Sequence, residues 1–64
     1  MTLKEKIENM NLTRGQKGEL VKRLAFEAGI TTEAIYMILT GKIKRPPKKR
    51  LDAFSKVLDC EITN

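Results

Sequence analysis

The sequence predicts an all-α fold, a compact bundle of four or five short helices. Three observations carry this. Apolar residues recur at helical spacing in four separate stretches. Threonines stand at capping positions ahead of three of them. No stretch reads as a strand, apart from a possible pairing of the tail. A chain of 64 residues makes a single domain, 1–64, with a modest core, and such a chain is marginal unless it is compact, helical or oligomeric.

The elements follow in order. Thr2-Leu3-Lys4-Glu5 has capping-box spacing, so a first helix starts here, with Leu3, Ile7 and Met10 along one face. Asn9-Met10-Asn11 weakens the helix and suggests a turn. Thr13-Arg14-Gly15-Gln16 offers a second box. Gly15 and Gly18 each cost roughly 1 kcal/mol relative to alanine inside a helix, so the second helix is secure only from about Glu19. Leu20, Val21, Leu24, Ala25 and Ala28 form its apolar stripe, and Lys22, Arg23 and Glu27 point away from it.

Gly29 breaks that helix, as a residue free to take positive φ can. Thr31 caps the next helix, and Ile30 and Ile35 have hydrophobic-staple spacing around it. Ile35, Ile38 and Leu39 face inward; Thr32, Glu33, Tyr36, Met37 and Thr40 share the outer side or its edges; Gly41 ends the helix. Pro46-Pro47 blocks a helix through the segment that follows, and Pro47 suits the first turn of a last helix. Leu51, Phe54 and Leu58, with Val57 beside them, give that helix its apolar face, ending near Asp59.

Charge is unevenly placed. The net charge is +5, from thirteen Lys/Arg against eight Asp/Glu. Six of the thirteen, Lys42, Lys44, Arg45, Lys48, Lys49 and Arg50, fall in segment 42–50, which has no acid; the remainder holds seven against eight, or −1. One concentrated cationic strip is the footprint of a polyanion site, although a solvated basic loop would look alike in composition. No apolar run approaches the ~20 residues of a membrane helix, and Met1–Lys6 lacks the apolar core of a signal peptide. A lone Cys60 and the absence of histidine leave no intrachain disulfide and no Cys/His zinc site, and make a reducing cytoplasm the simplest compartment. No nucleophile–base pair, phosphate-binding glycine loop or metal cluster points to an enzyme, a cofactor or a small-molecule substrate.

Ala25, Gly29, Ile35 and Ile38 stand where a central helix-turn-helix needs them. A small residue lets the second helix cross closely, a glycine makes the turn, and branched apolar residues line the inner face. With Leu24-Ala25, Ala28-Gly29-Ile30-Thr31, Ile35, Ile38, Leu39-Thr40-Gly41 and the following Leu51–Leu58 helix, the chain resembles the lambda-repressor and Cro-like helix-turn-helix DNA-binding proteins over about residues 19–60. The resemblance implies that the helix holding Thr32–Thr40 reads the major groove, with Thr31, Thr32, Glu33, Tyr36, Met37 and Thr40 toward the bases. The chain departs from the family at Val21, where many members open the first motif helix with a polar residue, often glutamine. Here Gln16 and Lys17 stand near the start of a longer helix, and Lys17 joins the phosphate-contact candidates.

Each site residue has a second explanation. Thr32 can bond a phosphate or base edge or meet a thymine methyl, or simply start the helix. Glu33 can accept from the cytosine amino group, or be placed by the helix dipole. Tyr36 can touch a thymine methyl and a phosphate, or half-bury over the core. Met37 and Thr40 are the weaker candidates. Lys42, Lys44, Arg45, Lys48, Lys49 and Arg50 would hold phosphates, giving affinity and register but no direct base code. Ile43 anchors their loop, and Cys60 acts as a small hydrophobe at a helix end. Phe26 fits packing on the first or last helix, or exposure at a partner interface.

The expected function is sequence-specific binding of double-stranded DNA by a small transcriptional regulator, for which a phage or mobile-element repressor suits the size. One reading helix covers a short half-site, which implies a homodimer, with the last helix and the Cys60–Asn64 tail as its contacts. Two alternatives are distinguishable. A binder without sequence preference shows steep salt dependence and equal affinity for unrelated DNA. A protein-interaction module, such as an antirepressor or accessory subunit, shows a stable protein complex and no DNA binding at physiological salt.

Overall fold

The computed structural model describes residues 1–63. Among them are four helices: α1 (Leu3–Asn9), α2 (Arg14–Ala28), α3 (Thr32–Leu39) and α4 (Lys48–Leu58). α2 is the organising element, packed against both α3 and α4, while α1 lies on α3. Leu24, Ile35 and Phe54 are fully enclosed and Val21 nearly so, and they join the three longer helices in one core. Each such side chain contributes about 1.5–3 kcal/mol on leaving water. Leu3 and Ile7 bring α1 onto the same core.

Both capping boxes form. The Thr2 hydroxyl accepts from the Glu5 amide at 3.2 Å, and the Glu5 carboxylate accepts from the Thr2 amide at 3.1 Å and its hydroxyl at 3.0 Å. These bonds, the backbone one foremost, hold the Glu5 carboxyl below its ordinary value of 4.5. The Thr13 hydroxyl accepts from the Gln16 amide at 3.2 Å and Gln16 returns a bond to the Thr13 amide at 2.9 Å. This second box carries α2 through Gly15 and Gly18 from Arg14, five residues earlier than Glu19, where the sequence makes it secure. The expected Leu3–Ile7–Met10 face loses its last member. α1 stops at Asn9, Met10 is 38% exposed, and Leu12 packs on the core instead.

α4 starts one residue later than the proline suggests. Pro47 is the cap, with ψ of 149°, and its carbonyl accepts from the Arg50 and Leu51 amides at 2.9 and 3.2 Å. Pro46 is buried, which its place in a charged segment did not announce.

The possible pairing of the tail forms, as a single bridge to the N-terminus. Asp59 takes the left-handed conformation at φ 52°, a role open to aspartate, and turns the chain back. The Ser55 hydroxyl donates to the Leu51 carbonyl at 2.8 Å and accepts from the Ile62 amide at 3.0 Å. Ile62 is thereby buried at 4% exposure. Thr63 forms an isolated parallel bridge with Thr2, its amide donating to the Met1 carbonyl at 2.8 Å. The tail therefore packs on its own domain through Ile62 and Thr63; Asn64 lies outside the described residues.

Candidate nucleic-acid interface

The α2–α3 turn has a specific construction. Gly29 adopts φ 68°, and nothing crowds the place its Cβ would take, so the backbone conformation is what requires glycine. The Ile30 amide donates to the Ala25 carbonyl at 3.0 Å and the Gly29 amide to Phe26 at 3.2 Å, the paired bonds of a Schellman motif. Thr31 then caps α3, its hydroxyl accepting from the Ala34 amide at 3.1 Å. Ala25 and Ala28 are buried in α2, and Ile35 is fully enclosed in α3. Small residues on one helix and a branched one on the other let the two approach.

That seating leaves a free face on α3. At 100° per residue, Thr32, Glu33, Tyr36, Met37 and Thr40 span an arc of roughly 140° away from Ile35 and Ile38. Thr31, Thr32, Glu33 and Thr40 are exposed, Tyr36 is 44% exposed, and Met37 is half-buried. The face is mostly hydroxyl and aromatic, with Glu33 its sole formal charge. Two of its members also serve locally, since the Thr31 oxygen caps the helix and the Thr40 hydroxyl donates to the Met37 carbonyl at 3.4 Å.

The basic strip is fastened to the end of this helix. Gly41 takes φ 86°, which turns the chain so that the Ile43 amide donates to the Met37 carbonyl at 3.1 Å. Ile43 is half-buried there, as an anchor should be, with Lys42, Lys44 and Arg45 exposed around it. Lys48 and Lys49 follow, exposed in the first turn of α4. Lys17 is exposed in the first part of α2, on an element separate from the strip.

Arg50 breaks ranks. It was expected to hold phosphate with its neighbours, but it is half-buried and its Nη1 donates to the Ala28 carbonyl. Ala28 is the last residue of α2, where carbonyls lack helical partners and the dipole favours a cation, and α2 has no basic residue of its own in its last turn. Arg50 supplies that cation from α4 and ties the last helix to the turn that aims α3. No spacing or composition in the sequence marks it off from Lys48 and Lys49. Among the described residues no cluster of His, Cys, Asp or Glu could hold a metal ion, and no helix is long and apolar enough to cross a membrane.

A helix-turn-helix with an open second helix and a cationic flank defines an all-α DNA-binding domain. A family model agrees: the chain belongs to the Cro/C1-type helix-turn-helix DNA-binding domains, matched over residues 6–63. The match begins within α1, at Lys6, and takes in the tail to Thr63 as well as the motif. Searches of the curated proteins and of the solved structures returned no match.

Proposed function

We propose that the protein is a sequence-specific transcriptional regulator of the phage or mobile-element repressor kind, working in the cytoplasm as a homodimer on double-stranded DNA. α3 enters the major groove. Thr32 and Tyr36 are its principal base-reading residues, with Thr31, Glu33, Met37 and Thr40 around them. Lys42, Lys44, Arg45, Lys48 and Lys49 hold the adjacent phosphates, and Lys17 adds a contact from the start of α2.

The observation that carries this reading is the bond from the Ile43 amide to the Met37 carbonyl at 3.1 Å. It fixes the cationic loop to the end of the helix whose outer face is open, so phosphate contacts on the loop set the register of that helix in the groove. A solvated basic loop needs no such attachment.

The test is selection from randomised duplex DNA, followed by a salt titration on the selected site. An enriched sequence that binds well above unrelated DNA supports the reading. Tyr36→Ala and Thr32→Ala should each weaken binding to it by ~1–3 kcal/mol and relax base preference. Equal affinity for selected and random DNA would remove the sequence-specific part, and no binding at physiological salt would remove the reading altogether.

A further inference from the structure

Phe26 is 85% exposed, the most exposed large apolar side chain in the described residues. It projects from the side of α2 opposite Leu24, Ala25 and Ala28, among the exposed side chains of Glu19, Lys22, Arg23 and Glu27. Covering an aromatic side chain of this kind removes about 150–250 Å² from water. Charged side chains would serve solubility better on a solvated helix, so this residue calls for a partner.

We propose that this face is a self-association surface whose occupant is α2 of a second copy, packed antiparallel. The charge pattern selects that partner. Arg23 and Glu27 lie one turn apart beside Phe26, and neither belongs to an ion pair among the described residues, where the pair present is Lys22–Glu19 at 3.9 Å. A two-fold axis at the level of Ala25 sets Arg23 opposite Glu27 of the second copy, and Glu27 opposite its Arg23. The two Phe26 rings then meet across the axis in an offset stack. A parallel pairing would set Arg23 against Arg23. A partner of one charge sign would leave either Arg23 or Glu27 facing its like. The reversed copy of the same helix satisfies both, as an isologous contact must.

This deepens the homodimer of the proposed function and depends on that reading only for its use on DNA. One helix laid on one helix falls below the ~1,200 Å² of a stable interface, so the free association is weak. Its effect on DNA is cooperative occupation of neighbouring half-sites.

The test is sedimentation equilibrium without DNA, to the highest soluble concentration, with circular dichroism confirming each fold. The wild type should show a monomer–dimer equilibrium, and Phe26→Ala should raise its dissociation constant roughly tenfold or more. Arg23→Glu and Glu27→Arg should each be monomeric, because each sets like charges opposite one another. Mixed in equal amounts, these two variants should recover a dimer, since all four charges are then complementary across the axis. A wild type that stays monomeric overturns the proposal. So does a wild-type dimer that survives Phe26→Ala, or a mixture that stays monomeric while the wild type pairs. The DNA-binding reading is judged separately, by salt titration of the monomeric variants on random duplex.

Discussion

Arg50 and Lys48 lie two residues apart in one basic run, and replacing each by glutamine should give opposite results. In the folded protein Arg50 donates to the Ala28 carbonyl, while Lys48 is exposed in the first turn of α4. A hydrogen bond to a charged group contributes about 1.5–3 kcal/mol, and partial exposure places this one at the lower end, ~1.5 kcal/mol. Removing a cation from the start of a helix returns about 0.3–1 kcal/mol, because the dipole is positive there. Arg50→Gln should therefore cost a net ~1 kcal/mol, which lowers the Tm of a domain this size by about 4–8 °C. Lys48→Gln has only the favourable dipole change, so its Tm should hold or rise slightly. DNA binding should sort the pair the other way. Each phosphate contact contributes about −0.9 to the slope of log K against log salt, so Lys48→Gln should flatten the slope by ~0.9 and Arg50→Gln should leave it unchanged. Thermal melts by circular dichroism and salt titrations on one duplex measure both quantities. If Arg50→Gln keeps its Tm and loses ~0.9 from the slope, its guanidinium is on phosphate and the role assigned to it at the turn is wrong.

Three further outcomes follow from local geometry. Gly18 lies within α2 with open space where a Cβ would go, so Gly18→Ala should stabilise by ~0.4–1 kcal/mol, seen as a higher urea midpoint; a lower one would show crowding that the backbone does not reveal. Ser55→Ala strands the buried-side Ile62 amide and should cost about 1–2 kcal/mol, with faster hydrogen exchange at Ile62; unchanged exchange there would mean that the tail is held by other contacts. Glu5 has its folded value depressed below 4.5, so its contribution is complete above that pH and is lost as pH falls through the lower folded value. Glu5→Gln should remove that part of the acid sensitivity in melts taken across the range, and identical pH profiles for variant and wild type would contradict the assignment.

The sequence was most legible where one residue type meets one local requirement. Thr2, Thr13 and Thr31 announced three helix starts, and Gly29 and Ile35 announced the crossing of α2 on α3. The inward residues of α4 followed from spacing alone. The misreadings were tertiary. Gly15 and Gly18 made the first turns of α2 insecure by propensity, but the Thr13–Gln16 box and the buried Leu20 and Val21 carry the helix through them. Met10 kept helical phase on paper after the helix had ended. Ile62 was not marked as a core residue, because the Ser55 hydroxyl that turns the tail inward is seven residues away and carries no periodic signal. Arg50 could not be separated from Lys48 and Lys49, since its partner at Ala28 is 22 residues distant. On α3 the sequence marked the outer face, yet only the Ile43–Met37 bond ties the charge strip to that helix.

The start of α4 bears on what the strip is for. The other three helices open on a threonine whose hydroxyl accepts a backbone amide. α4 opens on Pro47, with no side-chain cap, three cations and no acid in its first turn. Both features oppose folding: a missing cap costs about 1 kcal/mol, and each cation at the positive end of the dipole costs some 0.3–1 kcal/mol at low salt. Arg50 recovers its share at Ala28, but exposed Lys48 and Lys49 form no ion pair among the described residues. Burial of Leu51, Phe54 and Leu58 offsets the penalty and keeps the helix. A chain that follows the capping rule three times and breaks it once, at the place where its positive charge is gathered, fits a sequence that gives up local stability for a site. Phosphates along a duplex would relieve the repulsion that the free protein carries there. On this account stability and DNA affinity pull in opposite directions at Lys48 and Lys49.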